Sequence, residues 1–181
     1  QGSLPLTLAV QGVHNVRNAL AAAAVAGELG VPLATIVQAL SDYRGVKGRL
    51  ERKQAFNGAR LIDDTYNANP DSMKAAVDVL SGMHGKKILV LGDMGEVGND
   101  APERHAEIGA YAQSKGIDAL YAVGTHMVQA CRAFNTGLHF TSQEELVAAL
   151  RAKLPADAVV LVKGSRFMQM ERVVKALQET I

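Results

Sequence analysis

Two short segments combine residue types that handle anions and amines. Lys163-Gly164-Ser165-Arg166 places two cations and a hydroxyl around a glycine. Ser165 is a good helix cap, and Gly164 lets a backbone or ligand approach closely. Two cations at a helix amino terminus oppose the helix dipole, at roughly 0.3–1 kcal/mol each when exposed. Free backbone amides with Lys163 and Arg166 would instead receive a carboxylate or a phosphate. The second segment, Asp63-Asp64-Thr65-Tyr66-Asn67-Ala68-Asn69-Pro70, sets two adjacent acids beside a tyrosine and two asparagines. Asn69 suits a helix N-cap with Pro70 at the first helical position. Capping explains those two residues but not the acids or Tyr66; Asn67 serves equally as a turn residue or a ligand.

The elements that position these segments follow from periodicity. Leu4, Leu6, Leu8 and Val10 alternate and predict a strand. After Gly12 an alanine-rich helix runs from His14 to Leu29, and Pro32 opens another to about Tyr43. The pattern changes past Gly45 and Gly48. Leu50–Phe56, Asn57-Gly58 and Ala59–Asp64 give a hairpin signal with a type I′ turn. Helices and strands then alternate: a helix Pro70–Met83, a strand Lys87–Gly92, a helix Pro102–Lys115 and a strand Ala119–Gly124. Helices at His126–Phe134 and Gln143–Lys153 flank a short strand near His139. A strand Val159–Lys163 and a helix from Arg166 onward complete the order. Such alternation implies βαβ crossovers and a largely parallel sheet, with one antiparallel strand from the hairpin. In open α/β sheets ligands bind beyond the carboxyl ends of strands. That rule selects the loops Asp64–Asn69, Gly92–Gly98, Gly124–His126 and Lys163–Arg166.

Other chemistries fail on spacing. Gly92-Asp93-Met94-Gly95-Glu96-Val97-Gly98 reads G-x-x-G-x-x-G, not the dinucleotide G-x-G-x-x-G, and its acids would repel a pyrophosphate. Its glycines suffice to turn a loop, while Asp93 and Glu96 could receive an ammonium group. No G-x-x-x-x-G-K-[ST] phosphate loop and no G-x-S-x-G elbow occur. The five histidines show no metal-ligand spacing, so no metal ligands are assigned. Cys131 lies mid-helix among Val128, Ala130 and Ala133, as a small hydrophobe would.

A net charge of +1 disfavours nucleic acid and anionic membranes as partners, and 4% aromatics without tryptophan disfavour base-stacking platforms. No apolar run reaches membrane-spanning length. A lone cysteine allows no internal disulfide, so the expected location is cytoplasmic.

Taken in order, the segments resemble the Mur ligases. Gly12-Val13-His14-Asn15-Val16-Arg17-Asn18-Ala19-Leu20-Ala21-Ala22 is similar to the G-x-H-N-x-x-N-A-x-A-A motif that closes the family's central ATPase domain. Lys47-Gly48-Arg49-Leu50-Glu51 resembles the G-R-x-E segment at the domain junction. D-D-T-Y-N-A-N-P, G-D-M-G-E-V-G and V-K-G-S-R resemble the subtype whose amino substrate is D-alanyl-D-alanine; sister ligases carry D-Y-A-H-x-P or an N-D-S-K variant at the first of these. The resemblance implies a domain remnant at 1–46 and a Rossmann-like carboxy-terminal domain at 47–181. That fold is α/β, a mostly parallel sheet with one antiparallel edge strand and helices on both faces, preceded by a helical remnant of the central domain.

The resemblance also implies a reaction. ATP, with magnesium, phosphorylates the terminal carboxylate of UDP-N-acetylmuramoyl-tripeptide, and the amine of D-alanyl-D-alanine attacks the acyl phosphate. His14, Asn15 and Asn18 then match residues near the adenine, with helix capping an alternative for His14 and Asn15. Arg49 matches the arginine that reaches the phosphates, and Asp64 the aspartate near the ribose. Lys163, Ser165 and Arg166 lie where the amino substrate is held, and Tyr66, Asn67 and Asn69 shape the same pocket. Arg49 and Lys163 are the residues implied in catalysis. The family's first domain, phosphate loop, magnesium ligands and carbamylated lysine have no counterpart in these 181 residues, so the chain alone is expected to bind no cofactor and to be inactive. Two other readings remain: a stand-alone Rossmann-type nucleotide-binding module, and a non-catalytic interaction domain.

Overall fold

The computed structural model describes residues 2–10, 12–95 and 97–179, without the side chain of His14. It divides into two compact units, Gln1–Val46 and Lys47–Ile181.

In the first unit, helix α1 (Val13–Glu28) and helix α2 (Leu33–Asp42) are separated by a turn at Gly30, whose φ of 79° suits a residue without a Cβ. Ala19 and Ile36 are buried, whereas Val16, Leu20, Val25 and Leu29 are exposed. The strand expected at Leu4–Val10 does not form; the described residues there make no ladder and are mostly exposed. Alternation marks a side-chain pattern, but a strand also needs a neighbour to satisfy its backbone.

The second unit is a six-stranded sheet ordered β1-β2-β6-β3-β4-β5. Its strands are β1 (Glu51–Gln54), β2 (Arg60–Asp64), β3 (Lys87–Gly92), β4 (Ala119–Val123), β5 (Leu138–Phe140) and β6 (Val159–Lys163). Only the edge pair β1–β2 is antiparallel. The expected mixed sheet is therefore correct.

Successive side chains of the central strands enter opposite cores. Ile62, Leu89, Leu91, Leu120 and Leu161 meet helices α3 (Pro70–Ser81), α4 (Ala101–Ser114) and α5 (Met127–Ala133) on one face. Leu61, Ile88, Val90, Val160 and Val162 meet helices α6 (Gln143–Lys153) and α7 (Glu171–Gln178) on the other. Burial on both faces explains the uninterrupted apolar runs K-I-L-V-L-G and V-V-L-V-K. Helix α3 is fixed by its sequence: Met73, Ala76, Val77 and Leu80 form the buried stripe, and Asn69 and Ser72 cap it reciprocally ahead of Pro70.

Two local expectations are corrected. The hairpin turn has Gly58 at φ 91° but Asn57 outside the positive-φ residues, so it is not type I′. The Gly58 N–H bonds the Ala55 carbonyl and the Ala55 N–H bonds the Ala59 carbonyl, which closes a three-residue loop. The Asn57 side chain accepts from the Ala59 N–H and donates to the Leu154 carbonyl, contacts that its side chain would lose in a tighter turn. The last helix does not begin at Arg166. A single 3₁₀ turn, Arg166–Met168, ends at Gln169 with φ 50°, and α7 starts at Glu171. The break lets Met170 bury fully over Gly92 and Gly164, where an added Cβ would lie 2.8 Å and 2.7 Å from its side chain.

Candidate active site

The carboxyl ends of β2, β3, β4 and β6 deliver four loops to one rim, and hydrogen bonds tie them together. Asp64 and Lys163 are register partners on adjacent parallel strands. Their side chains form an ion pair of 2.7 Å, and both are buried. The Lys163 ammonium also donates to the Asn67 carbonyl at 2.9 Å. Burial of an ion pair in which further polar groups are satisfied gives a rigid joint rather than a free charge. Lys163 therefore serves the rim with most of its bonding capacity already engaged by the protein.

Asp64 also accepts from the Leu50 N–H at 3.1 Å. Leu50 sits at φ 50°, a strained value for a branched residue, and Gly48 at φ 71°. The Gly48 carbonyl accepts from the Tyr66 N–H, and the Gly48 N–H donates to Glu51. This clamped turn lifts Arg49 to the surface. Its guanidinium lies 4.4 Å from the Tyr66 ring centroid, and no acidic partner for it occurs among the described residues. A cation stacked on an aromatic face keeps its in-plane donors available.

Asp63, adjacent to Asp64, faces elsewhere. It pairs with Lys53 at 2.7 Å and accepts from the Thr65 hydroxyl and N–H. The two acids thus have separate tasks, one securing the hairpin and one securing the rim.

The Gly92–Gly98 loop is held from several sides. The Asp93 carboxylate accepts from the N–H groups of His126 (3.1 Å) and Met127 (3.0 Å) at the start of α5. Asp93 is thereby turned toward backbone amides rather than toward an ammonium ligand. Glu96, its expected companion, lies outside the described residues.

The sequence reading missed His105. It is fully buried in α4, Nε2 accepts from the Met94 N–H at 2.9 Å, and Nδ1 donates to the Ala101 carbonyl at 2.6 Å. These bonds require the neutral ring. Burial lowers its pKa, against the Ala101 bond and the Asp93 charge, while His126 adds to the lowering. Its helical spacing with Ala101, Ile108, Gly109 and Ala112 was the available signal.

Because the folded value is depressed, the unfolded chain takes up a proton that the folded chain refuses. This contribution to stability is complete above the unfolded pKa near 6.5 and is lost as pH falls toward the folded value. The free energy of unfolding should therefore fall from pH 7 to 5.5, by at most about 1.4 kcal/mol per pH unit from this group. His105→Gln, which keeps an acceptor for Met94, should flatten that slope. An unchanged slope would remove His105 as its source.

The remaining candidates divide clearly. Tyr66, Asn67 and Asn69 are exposed at the rim, with the Asn69 side chain spent on capping α3. Ser165 is buried at the N-cap position of the 3₁₀ turn, where its side chain makes no capping bond. Arg166 is exposed and pairs with Glu171 at 3.0 Å. The expected opposition of Lys163 and Arg166 to a helix dipole is not realised, since only a single 3₁₀ turn follows and both cations have carboxylate partners.

In the first unit, His14 and Asn15 occupy the second and third positions of α1, behind an N-cap at Gly12 that provides no side-chain cap. Asn18 is exposed and Asn15 half-buried; the His14 side chain lies outside the described set. Cys131 is buried, and burial pushes its thiol up to about 11, which suppresses the thiolate. Among the described residues no three His, Cys, Asp or Glu side chains gather to hold a metal, and no helix is long and apolar enough to cross a membrane.

A parallel sheet with an antiparallel edge pair, carrying a charged rim and an arginine-bearing turn just before it, defines a class. The family described as Mur ligase, glutamate ligase domain, matches residues 48–166, and the chain belongs to the Mur ligases. Within that family it is similar to UDP-N-acetylmuramoyl-tripeptide–D-alanyl-D-alanine ligases. The enzyme of Escherichia coli (strain K12) is 41% identical over 180 residues, covering 98% of this chain and 40% of the relative. That of Bacillus subtilis (strain 168) is 34% identical over 179 residues, covering 94% and 39%. The crystal structure of MurF from Acinetobacter baumannii superposes with a TM-score of 0.90 at 38% identity, over 99% of this chain and 40% of that one. MurF ligase from Thermotoga maritima, solved in complex with ADP, gives 0.72 at 26% identity, over 86% and 35%. The chain spans about two fifths of the length of the curated relatives it matches.

Proposed function

We propose that this chain is the carboxy-terminal part of an ATP-dependent ligase that joins D-alanyl-D-alanine to UDP-N-acetylmuramoyl-tripeptide in peptidoglycan synthesis. The observation that carries the reading is the meeting of D-D-T-Y-N-A-N-P and V-K-G-S-R in one hydrogen-bonded rim, joined by Asp64 and Lys163. Residues 1–46 are read as the end of the central ATP-binding domain, with His14, Asn15 and Asn18 near the adenine. Residues 47–181 are the closing domain.

In this reading Arg49 reaches the transferred phosphoryl group, where fixed positive charge stabilises what develops in the transition state. Asp64 receives the ribose hydroxyls. Lys163 holds Asp64 and Asn67 in place, so its part in turnover is to keep the pocket charged and shaped. Arg166, the more exposed cation, holds the dipeptide carboxylate, and Tyr66, Asn67 and Asn69 wall the pocket. The dipeptide amine, once deprotonated, attacks the acyl phosphate and expels phosphate; a closed rim protects that intermediate from water. Magnesium would supply charge neutralisation on the phosphates, but the described residues offer it no cluster of ligands.

The test uses two samples. The full-length protein, given ATP, UDP-N-acetylmuramoyl-tripeptide and D-alanyl-D-alanine, should form the amide with ADP and phosphate. The 181-residue chain alone should form none. A full-length protein inactive on these substrates would end the reading, and amide formation by the short chain would end its dependence on other domains.

A further inference from the structure

We infer that Ser165 is a positioning residue that sets the spacing of three rim loops, rather than a ligand of the substrate. The substrate these loops serve rests on the ligase reading above; the tie itself does not. The Ser165 hydroxyl accepts from the Gly95 N–H at 2.6 Å and donates to the Ala68 carbonyl at 3.1 Å. Its backbone N–H donates to the Asp93 carbonyl at 3.0 Å, and its carbonyl accepts from the Met168 N–H at 2.9 Å. Only 3% of the residue is exposed.

One hydroxyl therefore bridges an N–H on the loop after β3 and a C=O on the loop after β2. These groups need a partner that donates and accepts at a single atom. A carboxylate only accepts, and an ammonium or guanidinium only donates. The bridge also fixes the path of Gly95, where an added Cβ would lie 3.1 Å from the Phe167 ring and 3.5 Å from the Ser165 hydroxyl. Through Asp93 the tie continues to the amino end of α5. Losing the hydroxyl frees two polar groups at once and lets the Asp64–Asn69 and Gly92–Gly98 loops drift apart. Displacements near 1 Å at a reacting centre cost about a hundredfold in rate.

The experiment is made on the full-length protein without substrates, then with them. In the wild type, the Gly95 amide should exchange with solvent as slowly as amides inside β3; fast exchange would overturn the tie. In Ser165→Ala that amide should become fast, and kcat/KM for D-alanyl-D-alanine should fall about a hundredfold, while the KM for ATP stays within about threefold. Slow Gly95 exchange in Ser165→Ala with a raised KM for the dipeptide would make Ser165 a direct ligand and overturn the inference. Fast exchange with unaltered kinetics would also overturn it. A wild type that joins no dipeptide fails the ligase reading instead, and the exchange data still decide the tie.

Discussion

If the proposed ligase reading holds, replacing Arg49 by alanine in the full-length protein is expected to lower turnover about a thousandfold, the scale of an arginine withdrawn from a phosphoryl-transfer centre. The expectation rests on how much of the surroundings is committed to presenting this one side chain. Leu50 accepts an unfavourable φ of 50°, Gly48 turns at 71°, and Asp64, Tyr66 and Glu51 each bind the backbone of the turn. Arg49 itself is exposed and contributes a ring contact with Tyr66 but no ion pair among the described residues. Its removal should therefore leave the unfolding midpoint within about 2 °C. Arg49→Lys should recover little, because a point charge lacks the planar fork that grips phosphate oxygens. Steady-state kinetics with thermal unfolding on the same samples checks both halves. Wild-type turnover in the alanine variant would remove Arg49 from the chemistry.

Much of this fold was legible because it is written in short-range patterns. The β3, β6 and α6 boundaries coincide with those expected, since apolar runs and turn residues fix them locally. The errors lie where a distant partner decides. Leu4–Val10 alternates like a strand yet has no ladder among the described residues. Asn57 abandons a type I′ geometry for a bond to Leu154, which is 97 positions away. Arg166 cannot start a helix because Met170 must first descend onto Gly92 and Gly164. At the rim, the rule that sites lie beyond strand ends found all four loops. It could not say which charges the protein keeps for itself: Lys163 and Asp93 read as ligands in sequence and are largely engaged internally. His105 escaped because a buried histidine looks, in one dimension, like an interruption of an apolar stripe.

The largest effect on stability should come from splitting the Asp64–Lys163 pair. Lys163→Ala takes from the buried Asp64 carboxylate the ammonium 2.7 Å away, and from the Asn67 carbonyl its donor. Asp64→Ala leaves an ammonium with 3% exposure and without its counter-ion. Breaking a buried pair from one side costs about 3–5 kcal/mol, because the surviving charge must be solvated or neutralised. Chemical denaturation of either single variant should show a loss of that size. The double variant Asp64→Leu with Lys163→Met behaves differently, since exchanging both charges for apolar groups of similar volume leaves no charge stranded; the Leu50 N–H and the Asn67 carbonyl each lose a partner, but most of the single-variant loss should be recovered. Activity would not return with it. The Leu50 N–H then loses its acceptor, the Arg49 turn loosens, and the ribose loses its carboxylate in the proposed reading. Stability recovered without turnover is thus the signature of a pair kept for the site rather than for the fold. A double variant as unstable as the singles would show that the cost lies in lost packing, and would remove charge pairing as the reason these two residues are buried together.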